Sequence, residues 1–321
     1  MATSVRGIES FTVVVPSYNE AATLRTNIEA IREHLDARTS AQHAAWTILI
    51  VDDASCDETP RIAAELMRED GRIHTIRRSS NGGVDAAIRS GIEAAEGDAI
   101  VVLDADLSYR ASIVGELLDE LEADQADVVV ASAFAPGGSV HHVPRRRAWL
   151  SRWANRFLSY AIHERVHTLT CIVRAYRTAA VRELCAMRPG GDAAHALLLD
   201  AIRAGMRVCE VPAELKWAPT RRSRMSFTAT VRRTWSVLGA ALRERPSLAL
   251  TIPGLVPGVL PLSIALALVA HASDRQVAVV GSTTFAVQTA SLIIFGFHST
   301  NFALRTWMRR HADRRLLRNS T

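Results

Sequence analysis

The sequence predicts an α/β protein with a mostly parallel sheet, followed by a two-helix transmembrane hairpin. Three observations carry that expectation. Short β-rich apolar runs alternate with helical patterns from Phe11 to Ala131, and such alternation lays helices over a parallel sheet. Each of the first four runs ends in acidic or polar residues. Charge then almost vanishes from Leu248 to Leu304, where Asp274 and Arg275 stand alone, although the 321-residue chain carries 38 basic and 33 acidic residues. A simple soluble globule and a chain made only of membrane helices are both excluded.

Taken in order, Phe11–Val15 is the first strand, and a helical pattern runs on to Leu35. Trp46–Val51 follows, then a helix over Thr59–Arg68. Strand Ile73–Arg77, helix Ala86–Ala95, strand Ala99–Leu103, helix Ser112–Leu121 and strand Asp127–Ala131 continue the alternation. This domain is expected to occupy residues 1–227. Residues 228–246 read as an amphipathic juxtamembrane helix, with Val231, Trp235, Leu238 and Leu242 at helical spacing.

Within 247–304, the runs Leu248–Ala270 and Val277–Leu304 carry no charge. At about 1.5 Å rise per residue, each is long enough to cross a hydrocarbon core of about 30 Å. Arginines crowd both flanks, between Trp217 and Arg245 and in the basic tail 305–321. Positive flanks stay on the cytoplasmic side, so the domain and both termini are expected in the cytosol, anchored in the inner (cytoplasmic) membrane. Met1–Ser10 has no apolar run, which predicts no cleaved signal.

Several function classes fall away. Cys56, Cys171, Cys185 and Cys209 have no paired spacing, so neither a zinc site nor a disulfide framework is expected. No Gly-x-Gly-x-x-Gly follows a strand, and no Walker Gly-Lys-Ser/Thr is present. The formal charge of +5 forms no continuous basic stripe, so nucleic acid is not an expected partner.

Ligands of such sheets bind beyond the carboxyl ends of the strands. The segments there are Pro16-Ser-Tyr-Asn-Glu20, Asp52-Asp-Ala-Ser-Cys-Asp57, Asn81-Gly-Gly83 and Asp104-Ala-Asp106. Asp104 and Asp106 are two hard oxygen donors at one strand end. They suit Mg²⁺ or Mn²⁺, which take further ligands from substrate phosphates. Asp52 and Asp53 either cap the next helix or, with Asp57 or Thr59 in that role, are free for base or ribose hydroxyls. Gly82-Gly83 reads equally as a plain turn and as a close backbone approach that aims a helix N-terminus at a ligand. Arg145-Arg-Arg147, Arg152 and Arg156, interleaved with Trp149, Trp153 and Phe157, read as a basic surface face or a phosphate site.

Val13-Val-Val-Pro-Ser-Tyr-Asn-Glu20, Val51-Asp-Asp-Ala-Ser-Cys-Asp57, Asn81-x-Gly83-x-x-x-Ala87-x-x-x-Gly91 and Leu103-Asp-Ala-Asp-Leu107 resemble, in order and spacing, the motifs of family-2 inverting glycosyltransferases. Their fold is the GT-A nucleotide-sugar-binding fold. Cys171-Ile-Val-Arg-Ala-Tyr-Arg177, Glu210-Val-Pro212, Ser223-Arg-Met-Ser-Phe227 and the two apolar runs extend the likeness to polyprenyl-phosphate sugar transferases. Within that group the chain is most similar to the bacterial undecaprenyl-phosphate glucosyl and aminoarabinose-type enzymes.

The resemblance implies a nucleoside diphosphate sugar donor, UDP-linked by preference, and a polyprenyl phosphate lipid acceptor, with inversion at the sugar. It implies that Pro16, Tyr18, Glu20, Asn81 and Gly83 line the donor pocket. Asp52 and Asp53 would meet the base or ribose, and Asp104 the ribose and metal. Asp106 would hold the metal that bridges the diphosphate. Arg147, Arg174, Ser223 and Arg224 would bind phosphate of donor or acceptor, and Asp104, Asp106 and Arg147 would be the catalytic set. A homo-oligomer through the membrane helices is compatible with this organisation.

Departures fall mainly on the acceptor side. Ser108 stands where the family commonly has glutamine, and Thr168, beside His167, where it has aspartate. Ala218-Pro-Thr-Arg221-Arg-Ser223-Arg224 lacks the first arginine and the glycine of the family's Arg-x-x-Gly-x-Ser-Lys. Two competing readings are a transferase to another lipid or a polysaccharide, and a membrane scaffold without catalysis.

Overall fold

A computed structural model describes residues 7–42, 44–123, 125–162, 166–187 and 194–217. The juxtamembrane helix, both apolar runs and the basic tail lie outside the described residues. Among the described residues no helix is long and apolar enough to cross a membrane.

Nine strands and seven helices are described. The strands are β1 (Ser10–Ser17), β2 (Ala45–Asp52), β3 (Ile73–Arg77), β4 (Ala99–Val102), β5 (Val128–Ser132), β6 (Ser139–His141), β7 (Arg174–Arg177), β8 (Val208–Pro212) and β9 (Glu214–Lys216). The helices are α1 (Leu24–Gln42), α2 (Thr59–Glu69), α3 (Val84–Ala94), α4 (Ile113–Ala123), α5 (Arg145–Ile162), α6 (Thr178–Met187) and α7 (Ala194–Arg203). The five strands expected from the sequence are present, each end within two residues. The first helix runs further than its apolar pattern, to Gln42. Its extension carries Arg38, whose guanidinium pairs with Asp119 of α4 at 2.7 Å.

Seven strands form one sheet in the order β3-β2-β1-β4-β7-β5-β8, and β6 pairs with β9 in a second. All neighbours in the large sheet are parallel except those of β7, which runs antiparallel to both β4 and β5. Cross-strand register places Leu49, Val14, Val102, Arg174, Val130 and Glu210 in one row across it. Directly paired residues share a face. One face therefore presents this row, and the other presents Val13, Ile48, Val101, Ala175 and Val129.

The second set belongs to the main core, with Leu24, Ile28, Ile31 and Leu35 of α1 and Leu117 and Leu121 of α4. The α1 residues recur at helical spacing and are fully buried. Burying each such side chain is worth about 1.5–3 kcal/mol. Over β1 and β2 the row face is covered by α3. Gly91 makes that packing possible: a Cβ there would lie 2.2 Å from Val14 Cγ1 and 3.1 Å from Val51 Cγ2. The Ala87/Gly91 spacing that looked like part of a binding motif thus brings a helix down onto the sheet.

Candidate active site

The loops after β1 and β2 are tied together. Asn19 N–H donates to Ser55 Oγ at 2.9 Å, and Cys56 N–H to Asn19 Oδ1 at 2.9 Å. Glu20 N–H donates to Thr59 Oγ1 at 2.7 Å, and Ala21 N–H to Asp57 Oδ2 at 3.2 Å. Pro16 lies past the β4 pairing, which ends at Val14, where a residue without N–H is tolerated. Tyr18 is exposed and Glu20 half-buried. The Glu20 carbonyl accepts from Thr23 and Leu24 and so starts α1.

The two aspartates after β2 have different tasks. Asp52 is buried; its Oδ1 accepts from Ser55 N–H at 3.1 Å, and Arg77 Nε lies 3.3 Å from Oδ2 without hydrogen-bond alignment. Asp53, 2% exposed, clamps the next loop. Its Oδ1 pairs with Arg78 and accepts from Gly82 N–H at 3.1 Å, and its Oδ2 accepts from Gly83 N–H at 2.7 Å. Gly83 N–H also donates to Asn81 Oδ1 at 3.2 Å. Gly83 sits at φ 85° and ψ 172°, a conformation essentially restricted to glycine, and caps α3.

The start of α2 falls to Asp57, whose Oδ1 accepts from Thr59 N–H at 3.0 Å. Burial opposes ionisation there, but hydrogen bonds from Thr59 and from the Ala21 amide hold the Asp57 carboxyl below its ordinary value. Arg78 was not singled out from the sequence. The signal was available: a second arginine follows Arg77, and parallel register sets Arg77 against Asp52.

After β4 the chain turns at Leu107, with φ 49° and its N–H bonded to Asp104 O at 3.1 Å. Asp104 is half-buried, Ala105 buried and Asp106 exposed. Asn27 of α1 anchors the turn through Ala105 O at 2.7 Å. Ser108 donates from both N–H (2.9 Å) and Oγ (2.6 Å) to Asp106 Oδ1. The serine in place of the family's glutamine therefore orients a metal-type carboxylate. Among the described residues no group of three or more His, Cys, Asp or Glu side chains gathers as a metal cage. The residues fit a cation that takes one or two carboxylates and completes its shell from phosphate and water.

Because β7 is antiparallel, the loop 166–173 before it reaches the same edge as Asp104. Asn155 of α5 accepts from Leu169 N–H (2.8 Å) and Thr170 N–H (3.0 Å) through Oδ1. Tyr109 and Cys171 lie against each other within the field of Asp104. Burial pushes the tyrosine hydroxyl far up. The thiol rises to about 11, chiefly by burial, with Asp104 adding to the rise while Tyr109 and Arg174 oppose it.

Arg174, a sequence candidate for phosphate, is fully buried; its Nη2 donates to Leu169 O at 2.9 Å. Its place is beneath the loop, where it holds the backbone. Arg147 lies in the first turn of α5, its side chain outside the description, and Ser223 and Arg224 lie outside the described residues. The structure thus gathers Pro16, Tyr18, Glu20, Asp52, Asp53, Asn81, Gly83, Asp104 and Asp106 along one sheet edge.

A mostly parallel sheet with one reversed strand, and an acid-bearing loop after its central strand, is the GT-A glycosyltransferase fold. Residues 12–185 match Glycosyl transferase family 2, and the chain belongs to that family of enzymes. It is 33% identical over 216 residues to polyprenol monophosphomannose synthase of Mycolicibacterium smegmatis, covering 65% of this chain and 78% of that protein. It is 29% identical over 308 residues to glycosyltransferase AglD of Haloferax volcanii, covering 92% of this chain. The chain spans only 47% of AglD's length. The solved mannosyltransferase PcManGT of Pyrobaculum calidifontis, in complex with GDP-Man and Mn²⁺, shares the fold. There the TM-score is 0.53 at 18% identity, over 92% of this chain and 88% of that one.

Proposed function

We propose that the chain transfers a sugar from a nucleoside diphosphate sugar to a polyprenyl phosphate, with a divalent cation and inversion at the anomeric carbon. One observation carries most of this reading. The Asp104-Ala-Asp106 turn, with Asp106 oriented by Ser108, lies on the same sheet edge as the Gly82–Gly83 start of α3 that Asp53 holds. A helix N-terminus and a carboxylate pair on one edge suit a diphosphate with its cation. The likeness to a polyprenol monophosphomannose synthase favours the lipid acceptor.

Asp104 and Asp106 would hold Mg²⁺ or Mn²⁺, which supplies charge neutralisation for the departing diphosphate. Asp53 fixes the loop that meets the donor, and Asn155 and Arg174 fix the loop that borders the acceptor. A phosphate monoester is largely dianionic near neutrality, its second pKa being about 6, so it attacks without a strong protein base. Attack on the face opposite the leaving diphosphate inverts the centre. The uncharged runs within 247–304 would anchor the enzyme in the inner membrane, with the domain on the cytoplasmic leaflet.

The test is direct. The full chain in detergent is given undecaprenyl phosphate, Mg²⁺ or Mn²⁺, and a panel of UDP- and GDP-sugars, and lipid-linked sugar is followed by mass spectrometry. One donor giving a metal-dependent product is the expected result. Absence of product with every donor, despite nucleotide binding, sinks the acceptor assignment.

A further inference from the structure

Glu210, in the middle of β8, serves the loop 166–173 with all of its carboxylate. Its Oε2 accepts from His167 N–H and from His167 Nδ1, each at 2.8 Å, and its Oε1 accepts from Thr168 N–H at 2.8 Å. Thr168 Oγ1 is fastened in turn to Ser132 Oγ of β5, 2.6 Å away, and both residues are buried. The backbone under the imidazole is thus fixed from two strands. An ionised carboxylate only accepts, so Nδ1 carries the hydrogen in this bond. The second ring nitrogen, Nε2, is left for another partner, and the His167 side chain is 47% exposed. An anchoring carboxylate that is 11% exposed and an oriented, open imidazole are the pattern by which a carboxylate sets a histidine's tautomer for work at its other nitrogen.

The location fits the acceptor. Glu210 stands in the cross-sheet row that also contains Val102 and Arg174, and Asp104 follows Val102 by two residues at the strand end. Three strand spacings, β4 to β7 to β5 to β8, separate the two carboxylates laterally, about 14 Å at about 4.8 Å each. That interval accommodates a hexose flanked by a cation-bound diphosphate on one side and an acceptor phosphate on the other. The loop itself joins the two points: its Cys171 end meets Tyr109 beside Asp104, and its His167 end hangs from Glu210.

We infer that His167 binds the acceptor phosphate through Nε2, with Glu210 as its positioning residue; this rests on the proposed phosphate-monoester acceptor. The minor, monoprotonated form of the acceptor donates its remaining proton to Nε2 and passes it to the ring, which leaves the attacking dianion. A phosphate oxygen then forms the new bond to the anomeric carbon as the bond to the diphosphate breaks. The bonding electron pair leaves on the diphosphate, and the proton stays on the imidazole until water takes it. In this chain the loop thus presents an imidazole beside Thr168, the residue at the family's aspartate position.

The test measures transfer to undecaprenyl phosphate by the full chain in detergent, with the donor sugar that the panel selects. His167→Ala is expected to raise the acceptor KM about tenfold or more, the worth of a hydrogen bond to a charged group, and to leave the donor KM within about twofold. His167→Gln, whose amide nitrogen reaches where Nε2 stood, should recover part of the loss. Glu210→Gln should fall between wild type and His167→Ala. If the alanine variant does not accumulate, His167→Phe keeps the ring volume without the nitrogen and is read in the same way. An unchanged acceptor KM in either variant overturns the inference and leaves the proposed function standing. A parallel rise of both KM values with a lower melting temperature also overturns it, because a merely structural pin behaves so. If wild-type protein glycosylates no polyprenyl phosphate at all, the acceptor assignment fails and the inference falls with it.

Discussion

Asp53→Asn replaces one oxygen of a carboxylate that is 2% exposed and serves Arg78, Gly82 and Gly83 together. Whichever way the new amide turns, its NH₂ meets a donor: the Arg78 and Gly82 side or the Gly83 N–H. Breaking a fully buried ion pair costs about 3–5 kcal/mol. The Arg78 side chain is 22% exposed, so water screens part of that loss. With the disrupted backbone bond at about 1 kcal/mol, the expected cost is about 2–4 kcal/mol. At about 2–4 °C per kcal/mol for a domain of this size, the melting temperature should drop by about 4–16 °C. Thermal denaturation of the full chain in detergent reads this for Asp53→Asn, Arg78→Ala and the double variant. The pair should show a coupling energy of about 1 kcal/mol or more. Nucleotide affinity should fall about tenfold as the start of α3 loses its aim, an energy of about 1.4 kcal/mol. A wild-type melting temperature for Asp53→Asn, with additive effects in the double variant, would refute the clamp.

Asp104→Asn and Asp106→Asn should each lower sugar transfer about 10²–10³-fold, the scale of losing one preorganised electrostatic contact, with little change in melting temperature; steady-state kinetics across a metal titration check this. Ser108→Ala removes one hydrogen bond from Asp106 Oδ1 and keeps no hydroxyl there, so the Mg²⁺ or Mn²⁺ concentration for half-activity should rise about fivefold, about 1 kcal/mol. Gly91→Ala drives a Cβ against Val14 and should destabilise the domain by about 1–3 kcal/mol, measured by the same melts. Cys171, with its thiol raised to about 11, should resist iodoacetamide in the native chain at pH 8 while the exposed Cys56 is labelled, as peptide mass spectrometry will show. The sign of its linkage follows. The neutral thiol favours folding fully below the ordinary value of 9.0, and that contribution is lost as pH climbs to about 11, a loss that Cys171→Ser should flatten.

Strands β1, β2 and β4 were legible because each is a short apolar run ending abruptly at Pro16, Asp52 or Asp104, and their parallel order follows from the intervening helices. Asp104 and Asp106 could be read for the same reason. Past Ala131 the signals weaken. Arg174-Ala-Tyr-Arg177 has too few apolar residues to announce a strand, yet β7 fills the gap between β4 and β5. The resemblance assigned its arginine to phosphate, and sequence shows charge but not burial. The roles of Asp53 and Glu210 were hidden for a related reason: their partners are backbone N–H groups, which every residue has and no motif displays. His167 stood out only as the neighbour of a departure.

The position of β7 has a consequence for how the chain is made. Four strands, β3-β2-β1-β4, can assemble once residue 102 is available, but β4 then ends the sheet as an unpaired apolar edge, Ala99-Ile-Val-Val102. The strand that covers it arrives more than seventy residues later, and β5 joins the sheet only through it. An exposed, uncharged edge of this kind templates pairing between chains. Closing so long a loop before any reward is received also slows folding. A protein truncated between Ser132 and Arg174 should therefore aggregate through β4, and substitutions that weaken the β4–β7 seam should reduce soluble yield more than they reduce the stability of the protein that does fold.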